Sequence, residues 1–115
     1  MDYDNLITSL LIDVPLIKPL YEEEIKWLEE DLPHVIFSLV VTPFIIKSIK
    51  EQEESSNIYG FLEKMALGDE KVQEVLVTSV LESLIIERDI IDFAKSHMGE
   101  LTKILCETTE KAYGF

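Results

Sequence analysis

The sequence predicts an all-α fold of about seven short helices in an antiparallel bundle. Stacked α-solenoid (HEAT-like) helix pairs are one layout and an irregular bundle is the other. Three observations carry this expectation. Leu, Ile, Glu and Lys dominate a composition with only four Gly and four Pro, which favours helices over sheets. Apolar residues recur three and four apart along most of the chain. The one β-branched, aromatic run, Val35 to Val41, has no second strand to pair with, so helix is the better reading. At 115 residues the chain suits a single domain, 1–115, and a hydrophobic share of 47% argues against disorder. No internal repeat supports the solenoid layout.

From the N-terminus, Leu6, Ile7, Leu10 and Leu11 make the apolar face of a helix over residues 4–13, with Asp4 or Asn5 as its cap. Pro15 and Pro19 bracket a turn, and Pro19 suits the first position of the next helix. There Tyr21, Ile25, Leu28 and Leu32 form a seam. Glu22, Glu23 and Glu24 are expected in the first turn, where the helix dipole favours them, and Glu22 is spaced to pair with Lys26. Asp31 is the expected cap of a restart at Pro33. Pro43 kinks or restarts the following helix, which reaches about Gln52. Glu51 to Asn57 reads as a connecting loop.

Ile58, Phe61, Leu62, Met65 and Ala66 form the next helical face. Gly60 within it costs about 1 kcal/mol against Ala, which points to close packing there, and Gly68 is placed for a left-handed C-cap. The stretch from Gly68 to Asp89 reads as the central helix. Asp69 caps it and Glu70 sits in its first turn. At roughly 100° per residue, Lys71, Glu74, Thr78 and Glu82 fall on one narrow stripe. Val72, Val75, Leu76, Val77, Val80, Leu81, Leu84, Ile85 and Ile86 surround that stripe, so the helix packs on several sides. Ile90, Ile91, Phe93, Ala94 and Met98 make a shorter helix ended by Gly99. Leu101, Ile104, Leu105 and Ala112 belong to a last helix, along which Thr102, Cys106, Thr109 and Tyr113 also repeat.

The net charge of −13 excludes most polyanionic partners: nucleic acid and anionic membrane surfaces are both disfavoured. A basic protein partner would instead be steered towards the chain. The single cysteine, Cys106, cannot form an intramolecular disulfide, and a packed thiol in a reducing cytoplasm is the expectation. The N-terminus lacks the basic region of a signal peptide. The uncharged run from Leu32 to Ile46 is short for a bilayer and reads as core.

Catalytic signatures are absent. His34 and His97 have no second ligand at metal spacing, no G-x-S-x-G occurs and no Gly-rich phosphate loop occurs. No metal, no cofactor and no enzyme activity are therefore expected. His34 suits a helix start or a hydrogen-bonded buried position. The charge clusters are the better lead. They comprise Glu22, Glu23, Glu24, Glu29, Glu30 and Asp31; Glu51, Glu53 and Glu54; and Asp69, Glu70 and Glu74 continuing to Glu82. Each also has a bland reading as solvated surface. Glu82, amid Leu81, Leu84 and Ile85, is a candidate for a partner's cation or for an internal pair with Lys71, Lys64 or Arg88.

Leu32-Pro33-His34, Pro43-Phe44, Gly68-Asp69-Glu70, Val72-Gln73-Glu74-Val75 and Leu81-Glu82 together resemble small, acidic, all-helical immunity proteins of contact-dependent and other polymorphic bacterial toxin systems. The likeness runs from about Glu22 to Tyr113. It implies inhibition by binding: the protein would cover the basic active-site groove of a cognate toxin, commonly a nuclease, and no catalytic residue carries over. The candidate partner-binding residues are Asp69, Glu70, Glu74, Thr78 and Glu82 on one helix, and Glu22, Glu23, Glu29, Glu30, Asp31 and Trp27 near another. The average burial of tryptophan favours Trp27 in the core, whereas an exposed Trp27 would be an interface anchor. A helical adaptor for a basic or amphipathic partner, with no toxin, is the alternative.

Overall fold

Two long helices cross at the centre of the molecule, and each contains a π-helical turn where they meet. A computed structural model describes residues 1–53 and 56–115, and among these seven helical segments occur with no strand. They are α1 (residues 3–13), α2 (15–25), α3 (Pro33–Lys50), α4 (Ser56–Ala66), α5 (70–86), α6 (Ile91–His97) and α7 (Glu100–Ala112). The run from Val35 to Val41 is helical, as its lack of a pairing partner implied.

The π-turns span Phe37–Val41 in α3 and Leu76–Leu81 in α5. In α3 the cause lies two residues on. Pro43 has no N–H, and its ring would crowd the carbonyl four residues back, so a widened turn before it relieves both problems without ending the helix. In α5 the Ser79 carbonyl, inside the π-turn, accepts from the buried Thr42 hydroxyl at 2.7 Å. The Ser79 hydroxyl lies 3.4 Å from Nδ1 of half-buried His34. His34 is thus a helix-start residue lodged at the crossing.

Helices distant in sequence pack together: α1 on α4, α4 on α7, α5 on α7, and α3 on α5. In a solenoid each repeat touches its sequence neighbours, so this is irregular-bundle packing. The buried side chains form one cluster, with Phe37 and Phe61 stacked at its centre, 6.4 Å apart. Val72, Val75, Leu76, Val80, Leu81, Leu84 and Ile85 of α5 are buried, as a central helix requires, although Ile86 faces outward. By length and composition α3 is long and apolar enough to cross a membrane, and 44% of it is buried inside the molecule.

Several local expectations are corrected. The α1 cap is Asp2, which accepts from the Asn5 N–H at 3.0 Å, not Asp4 or Asn5. Pro19 stands in the first turn of the α-helical part of α2, Lys18–Ile25, as expected, and Pro15 opens the 3-10 turn that leads into it. Gly60 is exposed, with open space where a Cβ would sit, so close packing does not require it. Gly68 is not left-handed. Its place is set by crowding, since a Cβ there would come within 3.2 Å of the Met1 and Met65 carbonyls. The buried face of α7 is Thr102, Cys106, Thr109 and Glu110, so the polar repeat faces inward except at Tyr113, which is exposed, as are Leu101 and Ile104. Asn57 is helical rather than part of the connector, and Glu54 lies outside the described residues.

Candidate functional site

The expected partner-binding residues divide into two surfaces. The first is the α5 stripe. Asp69 caps the helix as expected, accepting from the Val72 N–H at 2.9 Å, and Glu70 occupies the first turn. Lys71, Glu74 and Thr78 are exposed and Glu82 is half-buried. Most of this stripe is already occupied within the chain. The Lys71 ammonium lies 5.7 Å from the Tyr3 ring. The Thr78 hydroxyl donates back to the Glu74 carbonyl at 2.7 Å. Glu82 accepts from the Tyr113 hydroxyl, a hydrogen bond that pushes the phenol up from its ordinary value. Glu82 therefore pairs internally, but not with the cations its sequence position suggested: Lys64 is bound to Asp13 at 2.7 Å and Arg88 to Glu110 at 2.9 Å.

The second surface is α2 and the connector after it. The helix stops at Ile25, so the seam expected to run from Tyr21 to Leu32 is cut: Leu28 is half-buried and Leu32 is exposed. Because α2 begins at Pro15, Glu22, Glu23 and Glu24 fall in its last turns, where the dipole disfavours them. The Lys26 partner is Glu23, at 2.9 Å, rather than Glu22. Asp31 caps nothing. It accepts from the Tyr21 hydroxyl at 2.8 Å, and burial together with this bond holds the Tyr21 phenol above its usual range.

Trp27 decides between the surfaces. It is 80% exposed, not packed in the core as tryptophan usually is. The cause is local: Trp27 follows the end of α2, its N–H returning to the Glu24 carbonyl at 3.1 Å, and no other helix covers that turn. Glu22, Glu29 and Glu30 around it are exposed and form no ion pair among the described residues. Tyr21, Ile25 and Leu28 to Leu32 line a shallow depression beside it. An exposed indole on a stretch rich in exposed carboxylates offers a face for a cation and counter-charges for its neighbours.

The profile of a domain of unknown function (DUF7674) matches residues 7–114. The chain belongs to this family. No curated protein matches it, and no solved structure does. The family match spans both acidic surfaces and the π-turn crossing, from α1 to the last residue but one.

The remaining reactive groups are accounted for by packing. Burial, then the nearby Glu110 carboxylate, pushes the Cys106 thiol up to about 11, so it is a core thiol. His97 stacks on Phe93 at 4.4 Å, and its Nδ1 sits 3.0 Å from the Ser96 hydroxyl. Among the described residues no group of three metal-ligating side chains occurs. Two polar clusters were not foreseen. Glu110 is buried between Lys95 at 2.7 Å and Arg88 at 2.9 Å. Glu63 accepts the Thr102 N–H at 2.9 Å, the Thr102 hydroxyl at 2.8 Å and the Leu101 N–H at 3.1 Å, capping α7 from another helix. Both are pairings between helices, and neither leaves a signal in local spacing.

Proposed function

We propose that the protein is a binding protein rather than an enzyme, and that it neutralises a cognate bacterial toxin in the cytoplasm. It would do so by covering a basic active-site groove of the kind a nuclease uses for phosphates. The observation that carries the reading is Trp27, 80% exposed on a stretch whose Glu22, Glu29 and Glu30 form no ion pair among the described residues. Large, exposed aromatic side chains dominate binding energy where they are found at interfaces. The net charge of −13 supplies long-range attraction for such a partner and repels nucleic acid itself. The resemblance to immunity proteins supplies the class of partner.

The test is co-expression with the toxin-like reading frame nearest the gene. Growth rescue and a co-purifying complex are expected, and failure of both overturns the reading. Charge-steered association should slow by about tenfold or more as salt is raised past physiological strength. The apolar groove described next favours a second reading, a helical adaptor for an amphipathic partner. A salt-independent on-rate, with no toxin gene nearby, would select it.

A further inference from the structure

A groove of about 320 Å³ runs between α2 and α3, at the small end of the ~300–1,000 Å³ range of ligand clefts. Its apolar lining includes Leu20, Leu39, Pro43 and Phe44. Leu20 is 45% exposed and Leu39 is 47% exposed, so leucine side chains on both walls stand open to water. Glu23 and Glu24 from α2 and Glu53 beyond α3 also line it, with Lys47 the one cation in the lining among the described residues and Glu23 already paired with Lys26. Neither Glu24 nor Glu53 joins an ion pair among the described residues.

Two features of the fold keep this groove open. Ile17 anchors the start of α2 in the core, but no residue from Lys18 to Ile25 is fully buried, and there the helix lies on the molecule through half-buried Tyr21, Glu24 and Ile25. Opposite it, α3 is wide where α2 approaches, because Leu39 and Val40 belong to the π-turn that Pro43 imposes. Such turns are often found at functional sites.

We propose that this groove is the docking site for an amphipathic helix of the protein partner. Its apolar side lies on Leu20, Leu39 and Phe44, and its lysines or arginines meet Glu23, Glu24 and Glu53. Charge complementarity selects this occupant. A lining both acidic and apolar matches a helix that is basic on its flanks and apolar along one stripe. The assignment rests on the reading of the chain as a binding protein and adds the surface and the form of the partner.

The probe is a synthetic Leu/Lys peptide of about 18 residues, long enough to hold a helix on binding, with its leucines on one face. A scrambled peptide of the same composition is the control, and titration calorimetry of the full chain is the readout. The amphipathic peptide should bind saturably. Leu39→Ser and Leu20→Ser, each made singly at a solvent-exposed position, should weaken it roughly tenfold while leaving the melting curve in place. Equal affinity for the two peptides, or indifference to both substitutions, overturns the proposal. The toxin assay separates this from the parent reading. If the native chain and the Leu20→Ser/Leu39→Ser chain rescue growth equally, the groove is not the contact and the toxin reading stands. If the native chain fails to rescue while the peptide result holds, the toxin reading falls and the groove remains.

Discussion

The carboxylates of α7 and its neighbours and those near Trp27 have the same chemistry and opposite uses. Glu110 is buried with Lys95 and Arg88 on either side of it, and Glu63 is spent on the first backbone N–H groups of α7. On the stretch that carries Trp27, Glu22, Glu29 and Glu30 are exposed and meet no cation among the described residues. A carboxylate surrounded by partners within the fold acts on stability. One with none acts only on what approaches from outside. The α5 stripe lies between these extremes, since Asp69 and Glu82 are already engaged inside the chain and Glu74 is exposed. The α2 end is therefore the better candidate for contact.

Breaking the buried cluster should have the largest effect on the fold. Glu110→Gln removes the carboxylate between Lys95 and Arg88 and leaves Lys95 only the more distant Glu107, at 3.7 Å. Lys95 is only 18% exposed, so its charge becomes costly. A loss of about 3 kcal/mol is expected in urea unfolding. A change under ~1 kcal/mol would mean that water already screens the cluster. The same cluster sets the pH dependence. The Lys95 hydrogen bond, opposed by burial and reinforced by Arg88, holds the Glu110 carboxyl below its ordinary 4.5. Its stabilisation is present above that pH and is lost as pH falls through the lower, folded value. The Glu110 hydrogen bond, opposed by burial, raises Lys95 above its ordinary 10.5, so that contribution is present below 10.5 and lost as pH rises through the higher folded value. The unfolding free energy should show a plateau with two shoulders, and Glu110→Gln should flatten both. Shoulders that persist unchanged in the variant would assign them to other groups.

Next in size is the cap. Burial pushes the Glu63 carboxyl up, but the Thr102 N–H and hydroxyl and the Leu101 N–H outweigh it, and the group titrates below its usual range. Glu63→Ala removes all three acceptor contacts at the start of α7, and about 1–2 kcal/mol should be lost. Hydrogen exchange should quicken first at Leu101 and Thr102. Unchanged exchange at Leu101 and Thr102 would mean that the helix does not depend on this cap. Gly99 is part of the same device, because a Cβ there would run into the Glu63 carboxylate.

What could be read from the sequence follows from how local each cause is. The helices, the Asp69 cap and the buried sides of α5 are legible because periodicity and capping act within a turn or two. The face that α7 buries is not legible. Thr102, Thr109 and Glu110 are tolerated inside only because α4, α6 and the end of α5 bring Glu63, Lys95 and Arg88 to meet Thr102 and Glu110, and Thr109 donates to the Leu105 carbonyl. The α3 π-turn had a visible cause in Pro43. The α5 π-turn had none, since its bonded carbonyl is satisfied by Thr42 from another helix. At the candidate site the acids were legible as a cluster. The exposure of Trp27 was not, because it depends on α2 ending at Ile25 inside a seam that keeps its spacing to Leu32.

The smallest effect on the fold should come from the surface proposed for contact, and that is the sharpest form of the comparison. Glu29→Lys with Glu30→Lys reverses two exposed charges that make no ion pair among the described residues. The melting transition should stay within about 0.5 kcal/mol of the native chain. The rate of association with the partner should fall, because reversed charge near a contact acts mainly on the encounter. Glu74→Lys is the matched control on α5, exposed and equally neutral for the fold. If it slows association as much as the α2 pair does, the contact extends across the stripe. If it alone slows association, the two surfaces exchange roles, and Trp27 is an exposed side chain without a partner.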